Sequence, residues 1–197
     1  MRHATPGTRS ARRRLVVAAV VIGVLIAEAS LRLAGVSFRT EFRLHPTRGY
    51  TREPGLAFRY TEEGDAWVQI NAAGYRDRPH DRATSSGVRR LAVLGDSFAE
   101  AWEVDLEETF WFLLERALNE HCRIDGVTRV DVLNFGIRGY STAQQYLQVR
   151  EEVFDYGPDG VLLTMYLDND VVQNSKTLYP LEFYPYFVLG ENGELVL

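Results

Sequence analysis

The 197-residue sequence predicts an α/β domain built on a parallel sheet and preceded by one N-terminal membrane helix. Three observations predict it. Short apolar runs at Leu91–Leu94 and Val161–Tyr166 read as buried strands, and Val130–Asn134 reads as a further strand between them. Helices read from apolar spacing over 106–121 and from start and stop signals at Ser141 and Gly157 fill the two intervals, which is the repeat of a sheet with right-handed crossovers. Finally, residues 1–14 hold five arginines and no acid and lead straight into a long apolar run.

That run, Leu15–Ala27, is uninterrupted, and it continues to Val36 past Glu28, Ser30 and Arg32. A basic start followed by such a stretch is a targeting signal, with the arginines held on the cytoplasmic side. Two outcomes stay open. Residues 15–36 are a single transmembrane anchor, or a signal cleaved near Ala29, where Ala27-Glu28-Ala29 offers small residues flanking one other. A buried core helix is the third, weaker reading. The expected organisation is therefore a basic cytoplasmic tail at 1–14, the anchor or signal at 15–36, an extracytoplasmic front segment at 37–88 and the main domain at 89–197.

The formal net charge of −5 becomes −10 over residues 15–197 by difference. Such a balance speaks against a nucleic-acid partner. Cys122 is the single cysteine, so an intramolecular disulfide and a cysteine metal site are both excluded. It reads as a half-buried helix residue.

Each element has a local reason. The front segment is polar and weakly periodic and reads as a linker carrying one hairpin. Ala66–Ile70 is its candidate strand, and "NAAGYRDRP" (71–79) is a turn in which Asn71, Gly74, Arg76 and Asp77 hold the segment to the domain. Asp105-x-x-Glu108 resembles a capping box, and Leu106, Phe110, Leu113, Leu114, Ala117 and Leu118 place one apolar stripe on a helix over 106–121. Ser141-x-x-Gln144 opens a second helix, which Gly157 and Pro158 end. The tail "YPYFVLGENGELVL" reads as a hairpin.

Function in open parallel sheets gathers at the carboxyl ends of the strands. Three polar sequences fall there: Gly95-Asp96-Ser97, Asn134–Gly139 and Asp168-Asn169-Asp170. Acyl transfer by serine needs a hydroxyl nucleophile and fixed donors for the oxyanion. Ser97 supplies the first and its own backbone N–H, Gly139 a second N–H, and Asn169 a side-chain amide. The plainer alternatives are a helix cap for Ser97 and turn positions for Gly139 and Asn169. Asp96 and Asn134 are supporting residues that brace the loops. Asp168 and Asp170 flank one asparagine without further ligands, so no metal is expected. Ala99 excludes the G-x-S-x-G elbow. A flavodoxin-like nucleotide binder is disfavoured, because no glycine-rich phosphate loop follows the first strand.

"GDSF" after the first strand, "NFGIRGYST" after the second and "YLDNDV" after the third resemble the first three blocks of the SGNH/GDSL hydrolases. "NAAGYRDRP" and "YGPDGVLL" are similar to bacterial, N-terminally anchored members, so the resemblance covers about residues 70–197. It implies a three-layer α/β/α flavodoxin-like fold and hydrolysis or transfer of ester-linked acyl groups, such as O-acetyl groups of cell-surface glycans. It implies Ser97 as the nucleophile and Gly139 and Asn169 in the oxyanion hole, with no cofactor. Leu167 stands where the family usually has glycine. The family's general base is a histidine three residues after an aspartate, near the carboxyl terminus, whereas no histidine follows Asn169 here. His3, His45, His80 and His121 all precede the second strand, none is read as part of a D-x-x-H pattern, and none is expected to act as the base. The resemblance thus implies an N-terminal portion of such a domain, catalytically inactive or dependent on a base from outside this chain. The inactive case leaves a membrane-anchored binding module as the alternative.

Overall fold

The computed structural model describes residues 6–34, 36 and 40–197, so His3 and the first residues of the basic tail lie outside the described residues. The chain divides into two compact units, Met1–Thr40 and Glu41–Leu197.

The first unit is helix α1, Pro6–Leu33. Its segment Ser10–Leu33 has 24 residues and contains an 18-residue window of mean hydropathy 2.2, none of it buried. At about 1.5 Å per residue it exceeds the ~30 Å of a bilayer core. Arg32 Nε meets Glu28 Oε1 at 2.7 Å one turn away, which offsets the two charges that interrupt the apolar run. The helix is consistent with either a membrane anchor or a cleavable signal.

The second unit is an α/β architecture with helices and several small sheets. Its front segment holds two antiparallel hairpins where one was expected: β1 (Phe42–His45) with β2 (Gly49–Arg52), and β3 (Ala57–Tyr60) with β4 (Ala66–Gln69). Behind them, β5 (Val88–Leu94) pairs in parallel with β6 (Arg129–Asn134) on one side and β7 (Gly160–Leu163) on the other. β7 is shorter than the apolar run to Tyr166. Thr164 N–H makes the last ladder bond, to the Leu94 carbonyl at 2.9 Å, and its hydroxyl donates to the same carbonyl at 2.8 Å.

Alternation along the strands sorts their side chains to two cores. Leu91, Val93, Val130 and Val132 pack with Trp111, Phe112, Leu114 and Leu118 of α3 (Phe110–His121). Ala92, Leu94, Leu133 and Phe135 pack with Val149 of α4 (Thr142–Glu151) and with Val153 and Tyr156 of the 3₁₀ turn behind it. α4 begins at the expected capping box, with Ser141 and Gln144 bonding each other's backbone N–H. The other expected capping box does not form. Residues 106–108 are a 3₁₀ turn, and the Asp105 carboxylate accepts instead from Trp67 N–H of β4 at 3.0 Å. Cys122 is exposed just past α3, not half-buried within it.

The free edge of β6 is closed by side chains. Phe135 N–H bonds Val93 of β5, so alternate amides point away from the sheet. Those of Val130, Val132 and Asn134 are taken by Asn119, Glu115 and Asp77 at 2.9, 2.8 and 2.8 Å. Such capping suppresses strand addition at an edge. Among the described residues no side chain caps the free edge of β7. The tail forms a short hairpin of β8 (Val188–Leu189) and β9 (Leu195–Val196).

Candidate active site

Ser97 is the first residue of the one-turn helix α2, Ser97–Glu100. The turn from β5 is tight because Gly95 admits no side chain: a Cβ there would stand 2.1 Å from Thr164 Oγ1 and 2.7 Å from Ala99 Cβ. Asp96, not Ser97, is the helix cap. Its Oδ1 accepts from Phe98 N–H at 3.0 Å. Its Oδ2 accepts from Asn169 Nδ2 at 3.1 Å, which ties the chain after β7 to the turn carrying Ser97. The Ser97 hydroxyl is half-buried and forms no hydrogen bond among the described residues. Phe98 is exposed and lies against Tyr166, 4.9 Å between ring centroids, so the serine is flanked by an apolar pair.

Gly139 sits at φ +78°, which favours glycine, and a Cβ would approach Tyr50 Oη to 2.8 Å. Its loop is fixed by partners from three elements. Glu100 Oε2 accepts from Arg138 N–H at 2.7 Å, Tyr50 Oη donates to the Arg138 carbonyl at 3.0 Å, and Tyr184 Oη donates to the Gly139 carbonyl at 2.8 Å. Burial pushes the Tyr184 phenol up to about 12 and the Tyr50 phenol higher, so both stay protonated donors. Asn134 is buried and braces the same loop. Its Oδ1 accepts from Gly136 N–H and its Nδ2 donates to the Arg76 carbonyl, each at 3.0 Å.

The three candidate oxyanion donors share one property. Among the described residues neither Ser97 N–H nor Gly139 N–H has a hydrogen-bond partner, and Asn169 Nδ2 uses only one of its two hydrogens. The amides beside the first two are engaged: Phe98 N–H on Asp96, Arg138 N–H on Glu100 and Tyr140 N–H on the Ile137 carbonyl.

The front segment contributes residues that sequence reasoning assigned to a linker. Arg52 grips Glu100 through Nε and Nη2, both at 2.6 Å, and lies between the rings of Phe42 and Trp102 at 4.1 Å from each centroid. Arg76 donates to the Glu100 carbonyl at 3.1 Å and also to the Val104 carbonyl. Farther along, Arg48 bridges Glu151 and Glu152 at 3.3 and 3.1 Å. Asn71 closes its own turn, accepting from Ala73 and Tyr75 N–H at 3.0 and 3.1 Å.

No described histidine contacts Ser97. His45 Nδ1 accepts from the Thr47 and Arg48 N–H groups at 3.4 and 3.2 Å, and its Nε2 lies 2.8 Å from Arg48 Nη2. Burial and the Arg48 charge hold His45 below its ordinary value, so it is a neutral bracing residue with both ring nitrogens occupied. His121 is exposed at the end of α3. Asp77-Arg78-Pro79-His80 does have the aspartate-x-x-histidine spacing, which sequence reasoning passed over, and His80 Nε2 lies 3.0 Å from Asp77 Oδ2. That oxygen, however, caps Asn134 N–H on the free edge of β6, whereas Asn169 follows β7 on the opposite side of β5.

Asp168 is exposed, whereas Asp170 is fully buried. One Asp170 oxygen accepts from Tyr166 N–H at 2.8 Å, and the other has no partner among the described residues. Burial, reinforced by the Asp96 charge, pushes its carboxyl up to about 6. The protonated form is therefore favoured on folding. This contribution is complete below about pH 4, declines as pH rises and is gone above about pH 6. Asp170→Asn is expected to lose less stability than wild type between those limits, as read by urea unfolding at a series of pH values. Parallel curves would show that Asp170 does not titrate in this window.

Neither a family model nor a curated protein matches this chain.

Proposed function

We propose that residues 41–197 form an ester-processing domain of the SGNH/GDSL hydrolase type, tethered outside the cytoplasm by α1 as a single-pass anchor. In this reading the sheet and its flanking helices belong to a three-layer α/β/α flavodoxin-like fold. Ser97 is the nucleophile, and Ser97 N–H, Gly139 N–H and the Asn169 amide receive the oxyanion. The substrate is an acyl ester such as an O-acetyl group on a cell-surface glycan, attacked without a cofactor. The observation that carries the proposal is the free donor hydrogen at each of those three positions, one after each strand of the parallel sheet.

The chemistry follows from acyl transfer. Ser97 Oγ attacks the carbonyl carbon while its proton passes to a base, and the carbonyl oxygen gains the charge that the three donors stabilise. The alcohol then leaves with that proton, and water or an acceptor hydroxyl releases the acyl group. The base is external to the described residues, since the serine hydroxyl has no partner among them. That same observation favours a second reading, a binding module that holds the ester without turning it over.

Imidazole supplied in solution tests the proposal. With 4-methylumbelliferyl acetate as substrate, imidazole should raise the wild-type rate to at least ~10-fold above Ser97→Ala, a small part of the ~10²–10⁴ that a positioned base gives. Equal rates for the two proteins at every imidazole concentration would overturn the enzymatic reading. Saturable ester binding that Ser97→Ala retains, without turnover, is the mark of the binding module.

A further inference from the structure

We infer that Arg52, acting through Glu100, is a positioning residue for the oxyanion loop, so that the front hairpin β1–β2 is part of the site. The inference rests on the ester-processing reading and names what holds its geometry. Glu100 closes the same helical turn that Ser97 opens, and its N–H bonds the Asp96 carbonyl at 3.0 Å. Its Oε2 accepts at once from Arg52 Nη2 at 2.6 Å and from Arg138 N–H at 2.7 Å. One carboxylate oxygen therefore joins the nucleophile's helix, the residue preceding Gly139 and the end of β2. Both side chains are buried, at 0% exposure for Arg52 and 1% for Glu100.

The geometry has a directional consequence. A carboxylate held on both oxygens by a guanidinium fork cannot rotate, so the Arg138 amide is fixed in direction. The next peptide carries the Gly139 N–H, whose aim follows from that of its neighbour. Tyr50, two residues before Arg52 on the same strand, holds the Arg138 carbonyl from the other side. Lysine at position 52 keeps the charge but loses the fork. It should leave the domain folded and the loop loosely aimed.

The test uses the full chain as wild type, Arg52→Lys and Glu100→Gln, each first shown by circular dichroism to melt cooperatively. Amide hydrogen exchange reads the loop directly. Protection at Arg138, whose N–H bonds Glu100, should fall at least 10-fold in both variants, with Ala92 and Val93 of β5 unchanged. Phenylboronic acid reads the site, because a tetrahedral boronate on Ser97 Oγ places an oxygen among the donors. Its boron-11 signal should be tetrahedral with wild type and absent with Ser97→Ala, and its dissociation constant should rise at least 10-fold in Arg52→Lys. Protection and boronate affinity within twofold of wild type would overturn the inference. So would protection lost equally in β5, which marks a merely structural pair. Loop-specific loss of protection without any tetrahedral signal in wild type supports the positioning role and sinks the ester reading instead.

Discussion

Glu100→Ala is expected to cost the unit 41–197 about 3–5 kcal/mol of unfolding free energy, the penalty for stranding one member of a buried ion pair. The stranded group is Arg52, which has no exposure, two aromatic faces around it and, among the described residues, only Glu41 at 3.5 Å as a second carboxylate. The Arg138 N–H loses its acceptor at the same time. Against a typical total of ~5–15 kcal/mol, the loss is large enough to move the urea midpoint far toward zero. The pair itself need not be the source of stability. Replacing both members, as Arg52→Met with Glu100→Leu, should recover most of the loss, since burying two apolar side chains avoids the desolvation of two charges. A single variant that costs under about 1 kcal/mol would show that water reaches the pair.

Trp111→Ala should cost a similar amount, about 3–5 kcal/mol, through the cavity left by a fully buried indole. Trp111 has 0% exposure and packs with Val93, Ala99 and Val132, while its Nε1–H donates to the Ala99 carbonyl at 3.0 Å. It therefore grips α2 from the α3 side, as Arg52 and Arg76 grip it from the front segment. Trp111→Phe separates the two contributions. It keeps most of the packing and leaves the Ala99 carbonyl unpaired, for about 1–3 kcal/mol. Unfolding in urea measures both, and equal costs for the two variants would mean that the hydrogen bond carries the whole effect.

Much of the scaffold was legible because its signals are local. The strand at 91–94 is an apolar run closed by a turn residue, and Ser141-x-x-Gln144 is a complete capping box within four residues. Asp105-x-x-Glu108 has the same form, yet Asp105 found a better donor in Trp67 N–H, 38 residues away. Distance in sequence also hid the front segment's role. Arg52 reaches Glu100 and Arg48 reaches Glu152 across 48 and 104 residues, and a polar, weakly periodic stretch shows no sign of such partners beforehand. Asp77-x-x-His80 shows the opposite case, a visible spacing whose meaning depends on which sheet edge it meets. The three donor positions were legible from their placement after strands, and their free hydrogens only from the structure.

Covalent trapping of Ser97 bears most directly on the central claim. The full chain is incubated with a fluorophosphonate, with and without imidazole, digested, and mapped by mass spectrometry. The account predicts one phosphonylated site, Ser97, labelled faster when imidazole is present and unlabelled in Ser97→Ala. Label distributed over other serines and tyrosines at the same rate, or no label on Ser97 at saturating reagent, would contradict it.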